Sequence, residues 1–90
     1  MKILKVSGLR EHAKSEGWTR TKTPNGPEKW EDKNDIPRIT LKKGTQRVPG
    51  SEMPHVEIKD STGQRIDRFG NPVSKRSQGN HTPIQWDVID

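Results

Sequence analysis

Ninety residues, only 24% of them hydrophobic, suffice for one domain and leave no material for a second core. A formal net charge of +5 favours an anionic partner, and the absence of cysteine excludes disulfides and thiolate metal sites. No apolar run reaches the length of a membrane span, residues 1–6 are too short for a signal-peptide core, and no apolar helix face accompanies the charge, so no membrane partner is expected.

In chain order, residues 1–17 read as a helical segment. Ser7 is a candidate N-cap, Leu9 and Ala13 lie four apart, Lys14 suits the C-terminal end of the helix dipole, and Gly17 is a natural stop. Residues 18–90 read as an antiparallel sheet with basic loops. Pro24-Asn25-Gly26-Pro27 is a strong turn signal between two segments that carry Trp18 and Trp30. From Ile36 to Lys42, Ile39 and Leu41 alternate with Arg38, Thr40 and Lys42, as in a half-buried strand. Residues 43–54 read as a loop. Val56 and Ile58 then alternate with His55, Glu57 and Lys59, and Asp60-Ser61-Thr62-Gly63 supplies turn chemistry before the chain returns through Arg65 and Ile66. Gly70-Asn71-Pro72 ends that hairpin. A polar basic loop over 74–83 leads to a last strand in which Ile84, Trp86 and Val88 alternate with Gln85 and Asp87. The expected fold class is α+β, one N-terminal helix packed on a small twisted antiparallel sheet of four to five strands, forming a single domain over residues 1–90.

Strand parity generates the candidate site. Residues two apart share a face, so His55 and Glu57 point one way while Val56 and Ile58 point to the core. If Ile66 also faces the core, Arg65 joins His55, Glu57 and Lys59 on one surface. A histidine, a carboxylate and a cation are the groups that cleave RNA without a metal. A base takes the 2′-hydroxyl proton, an acid protonates the leaving 5′-oxygen, and a cation stabilises the phosphorane. The same pattern also suits a solvated strand face with an incidental salt bridge. His81, in Asn80-His81-Thr82-Pro83, reads either as a member of the site or as a capped-turn residue bonded to a backbone carbonyl; His12 reads as a surface residue of the helix. Lys75 and Arg76 form either a solvated loop or a phosphate clamp, the latter helped by a backbone nest at Gly79 and Asn80. Arg47 and Arg68 are further candidates for holding RNA, and Trp86 or Trp30 for stacking on a base, although each tryptophan also suits the core. A zinc site from the three histidines and an acid is conceivable, but positions 12, 55 and 81 match no local metal motif, and no metal or cofactor is expected.

The runs His55-Val56-Glu57-Ile58-Lys59-Asp60, Gly63-Gln64-Arg65-Ile66, Phe69-Gly70-Asn71-Pro72-Val73 and Asn80-His81-Thr82-Pro83-Ile84-Gln85-Trp86-Asp87 resemble the C-terminal toxin domains of bacterial polymorphic toxins, including contact-dependent inhibition proteins. The hairpin is also similar to that of the ribosome-cleaving colicin nuclease, and the helix-plus-sheet layout to the barnase-like RNases. The resemblance spans residues 17–90. It implies a metal-independent endoribonuclease toxin, secreted or delivered so as to act in the cytoplasm of a target cell, with RNA (tRNA, rRNA or mRNA) as substrate and an acidic immunity protein as partner. It makes His55 and Glu57 the acid–base pair and Arg65 a phosphate or transition-state cation. The chain departs from the colicin pattern in two ways. Its histidine and glutamate are closer together, and Pro54 precedes the histidine where an aspartate lies upstream in the colicin, so His81 competes with Glu57 as the partner of His55. Two other classes stay open: a non-catalytic nucleic-acid-binding module, and a small interaction protein of phage or secretion-system origin.

Overall fold

The computed structural model describes residues 3–44 and 53–89. The chain is α+β and has, among the described residues, one helix, α1 (Val6–Ser15), and seven strands: β1 (Leu4–Lys5), β2 (Thr19–Thr21), β3 (Glu28–Glu31), β4 (Pro37–Lys42), β5 (His55–Lys59), β6 (Arg65–Ile66) and β7 (Thr82–Gln85). The sheet order is β1-β7-β5-β4-β3-β2, with β6 beside the C-terminal half of β5. It is larger than the expected four to five strands and is mixed, because β1 runs parallel to β7 with Leu4 opposite Ile84. A strand as short as β1 carries no alternation that would announce it, whereas β6 is the return strand expected after the Asp60 turn, with Ile66 opposite Ile58. The last strand is shorter than its pattern suggests: it ends at Gln85, while Trp86 and Val88 pack against the core from beyond it.

The helix begins differently from the expectation. Lys5, not Ser7, holds the N-cap position, and it makes no side-chain cap. The cap comes from the other end of the sequence. Asp87 Oδ1 accepts the Ser7 backbone N–H at 3.0 Å, and its other oxygen accepts the Ser7 hydroxyl. A carboxylate at this end also complements the helix dipole, and these bonds lower the Asp87 pKa. At the far end, Gly17 takes φ +79°, its N–H bonds to Lys14 O, and the Trp18 N–H bonds to Ala13 O. That is a Schellman closure, which needs a residue tolerant of the left-handed region.

Three hairpin turns share one device. Asp32, Asp60 and Asp67 each direct Oδ1 at the backbone N–H groups two and four residues on, at 2.9–3.1 Å. This is the local bonding that makes aspartate a turn residue.

The core is small: Val6 and Ala13 from α1, with Trp30, Ile39, Leu41, Val56 and Ile84 from the sheet. A carboxylate lies among them. Glu28, only 3% exposed, accepts two bonds from the Arg10 fork at 3.0 and 2.8 Å and one from the Trp30 indole at 2.7 Å, and Arg20 adds a longer contact at 3.3 Å. Burial raises its pKa, but these bonds outweigh burial and leave it lowered. Trp30 is therefore a core residue tied to the helix, and it offers no face for stacking a base.

Replacing Glu28 by alanine removes the carboxylate that accepts two bonds from the mostly buried Arg10 guanidinium and leaves the buried Trp30 indole N–H without its acceptor. We expect a loss of about 3–5 kcal/mol, read in urea denaturation as a lower midpoint with an unchanged slope.

Candidate functional site: a histidine pair over a buried carboxylate

β5 is the central strand. Its register with β4 sets Lys42 opposite His55, Leu41 opposite Val56 and Thr40 opposite Glu57. Parity then puts His55, Glu57 and Lys42 on one face and the core residues Val56, Leu41 and Ile39 on the other. The expected common face of His55, Glu57 and Arg65 forms, but it is not a solvated surface. His55 is 3% exposed and Glu57 7%. The chain after β6 folds over them, because the short 3-10 turn Gln78–Asn80 packs against β5 and β6.

Glu57 is the hub. Oε1 accepts Arg65 Nη1 at 2.7 Å, and Oε2 accepts Lys42 Nζ at 2.6 Å. Asn80, 1% exposed, reaches Oε1 through Nδ2 at 3.5 Å, accepts Arg65 Nη1 at 3.4 Å, and donates to Lys75 O at 2.9 Å. Burial pushes the Glu57 carboxyl up, but the bonds and charges of Lys42 and Arg65 win and hold its pKa down to about 2.

The two histidines are anchored alike. His55 Nδ1 donates to Met53 O at 2.9 Å, and His81 Nδ1 donates to Ser77 O at 2.9 Å. A carbonyl oxygen can only accept, so each neutral ring carries its free lone pair on Nε2. The ring centroids are 5.0 Å apart. His55 Nε2 is buried without a hydrogen-bond partner and lies 3.6 Å from Glu57 Oε2.

These groups form one end of a cleft of about 940 Å³. Its other walls carry Lys75, Arg76 and Trp86, together with Arg20, Lys22 and Lys43, which the sequence did not single out. Lys43 Nζ sits 5.2 Å from the centre of the half-buried Trp86 ring. The remaining sequence candidates are not brought to this place. Lys59, at the end of β5, lines a second groove with Leu9, Trp18 and Arg38. Arg68 lies over the exposed Phe69 ring, in the turn that Asp67 closes. Arg47 is outside the described residues. His12 stands on the helix surface, edge-on to Trp18. The nest expected at Gly79 and Asn80 does not form, because Ser77 takes both N–H groups, the first on its hydroxyl and the second on its carbonyl.

Lys42 and Asn80 are the members of the site that sequence reasoning missed. The alternation of β4 places Lys42 away from the core, but only the β4–β5 register puts it beside Glu57. Asn80 is expected only as backbone in a phosphate nest, and nothing local signals that its side chain is buried against Glu57. No protein-family model matches the chain, and a search of curated proteins returns no significant match.

The lowered Glu57 pKa implies an acid-labile hub. A carboxyl with a depressed native pKa contributes stability that is complete above its unfolded value near 4.5 and is lost as pH falls toward 2. We expect this group to contribute roughly 3 kcal/mol at neutral pH. Denaturation measured from pH 6 down to pH 2 should show a fall in stability across that window, reduced in Glu57→Gln, whose neutral amide has no proton to take up.

Proposed function

We propose that the cleft is the active site of a metal-independent endoribonuclease, and that the acid–base pair is His55 with His81. The observation that carries this reading is the tethering of both Nδ1 atoms to backbone carbonyls, which leaves Nε2 as the free nitrogen of two rings whose centres are 5.0 Å apart in a cleft that Lys42 also lines. One imidazole takes the 2′-hydroxyl proton, O2′ attacks phosphorus, and the bond from phosphorus to O5′ breaks. The other imidazole, protonated, delivers its proton to O5′, leaving a 2′,3′-cyclic phosphate and a free 5′-hydroxyl. His55 suits the acid, since a proton on its Nε2 faces the Glu57 carboxylate. Lys42, which lines the cleft, is the cation that meets the charge developing on the phosphorane, while Arg65 backs the site by holding Glu57 Oε1 from outside the cleft lining. Glu57, ionised down to about pH 2, is too weak a base for this step at neutral pH. It acts as a positioning group that holds the two cations. Lys75 and Arg76 extend the positive wall along the RNA backbone, and Trp86 offers a ring face for a base.

Incubating the purified protein with total cellular RNA in EDTA should yield discrete fragments ending in cyclic phosphate. His55→Ala and His81→Ala should each lower the rate by about 10²–10⁴-fold with the circular dichroism spectrum retained. Full activity in a folded His81→Ala protein would return the pair to His55 and Glu57. Intact RNA with the unmodified protein would leave a binding module.

The same reading extends to biology. A basic RNase of this kind fits an effector that is secreted or delivered into a target-cell cytoplasm and kept harmless in its producer by an acidic immunity protein over the cleft. Charge complementarity would give that partner fast, salt-sensitive association. Lys75 and Arg76 are adjacent exposed charges of the wall, so reversing both to glutamate tests both partners. We expect weaker RNA binding, with a log–log salt slope reduced by roughly 1.4–1.8 for two lost phosphate contacts, and slower association with the acidic protein. An unchanged slope would put the 75–76 loop outside the RNA path.

A further inference from the structure

We infer that the cluster of His55, His81 and Glu57 takes a zinc-class divalent ion, and that Lys42 holds the ion's place while it is absent. One donor atom from each of the three residues lies within 4.8 Å of the other two. In a tetrahedral zinc site, with bonds of about 2.0–2.1 Å, donors sit about 3.4 Å apart, so a modest closure completes the set. The movable member is His81, half-buried at the start of β7, whereas His55 and Glu57 are fixed in the central strand.

Three features point to a ligand and not to a chance grouping. His55 Nε2 is a buried nitrogen with no hydrogen-bond partner, and a lone pair in that state is costly to bury unless something binds it. Both imidazoles already make the outer contact of a metal-bound histidine, Nδ1–H to a backbone carbonyl, which orients Nε2 as donor. The carboxylate oxygens are divided, with Arg65 on Oε1 and Lys42 Nζ on Oε2 at 2.6 Å. Oε2 is also the oxygen nearest His55 Nε2, at 3.6 Å. The Lys42 side chain is 39% exposed and can swing into the cleft, leaving Oε2 to the ion while Arg65 keeps Oε1. The local sequence shows no such site because its histidines are 26 residues apart and meet only through β7.

Ion binding itself does not depend on the ribonuclease reading. Its consequence for cleavage does: an ion on both Nε2 atoms removes the acid and the base together, so zinc would shut the cleft.

Calorimetric titration of the metal-free protein with Zn²⁺ should give one site per chain, and Co²⁺ should develop the visible absorption of a tetrahedral complex. His81→Ala should weaken Zn²⁺ binding by more than roughly 100-fold. Lys42→Ala should tighten it by roughly tenfold, since it removes a competing cation at close range. That second variant separates the site from surface histidine binding and needs no fully buried residue to be cut. No saturable binding, or a Lys42→Ala protein that binds no more tightly, would overturn the assignment. If the protein cleaves RNA, Zn²⁺ should inhibit at the same concentrations and EDTA should reverse it; zinc that binds at this site but leaves cleavage untouched would sink the inhibitory role alone. Saturable binding by a protein that leaves RNA intact would uphold the metal site and defeat the ribonuclease reading.

Discussion

Glu57 is a carboxylate removed from water in the middle strand of the sheet, and the candidate site is organised by what that removal demands. A buried carboxylate must be neutralised and its lone pairs filled. Lys42 from β4, Arg65 from β6 and Asn80 from the turn before β7 do this, so three separate parts of the chain converge on one side chain. The convergence draws the 74–81 segment over the sheet, and His81 arrives beside His55 as a result. Lys42 and His55 are thus placed beside Glu57 directly, and Lys75 through its carbonyl bond to Asn80.

Glu28 solves the same problem on the core side of the sheet. It ties the helix to β3 through Arg10 and anchors the largest core side chain, Trp30. A chain this poor in apolar residues has few ways to define how its layers sit. Buried ion pairs contribute little net stability compared with apolar packing of similar volume, but removing one partner is costly. Two such hubs, one per face, make the arrangement specific where a thin core alone would leave it loose.

Much of this was legible in the amino acids. Gly17 as a helix stop, Asp60 as a turn former, and the alternation of Ile39 with Leu41 each follow from a local rule, and each stands in the structure. His55 and Glu57 sharing a face with Arg65 follows from parity. What escaped depends on pairing across long separations. Lys42 meets Glu57 only through the β4–β5 register, which a connection of a dozen residues, most of them outside the described residues, does not specify. Lys59 obeys the parity argument until the strand ends beneath it at the Asp60 turn, and it leaves the site there. The burial of His55 and Glu57 could not be read from alternation, because what covers them is the irregular segment containing Asn80. Ser7 illustrates the opposite error: a good capping residue by type, it sits two residues past the N-cap, and a distant aspartate does the capping.

That distant aspartate has a bearing on how the molecule comes into being. The start of α1 is satisfied by a residue 80 positions away, and among the described residues β1 pairs with β7 alone. During synthesis the first seventeen residues therefore leave the ribosome without the contacts that complete their helix. They must wait until the chain has grown past residue 87. The ordering of the first element is thus coupled to the arrival of the last, and the histidine pair, one member of which adjoins β7, is assembled at the same late stage. Folding dominated by such long-range closure is slow and all-or-none. A nascent chain would carry the charge of this domain early but acquire the cleft only once the segment through residue 87 is in place.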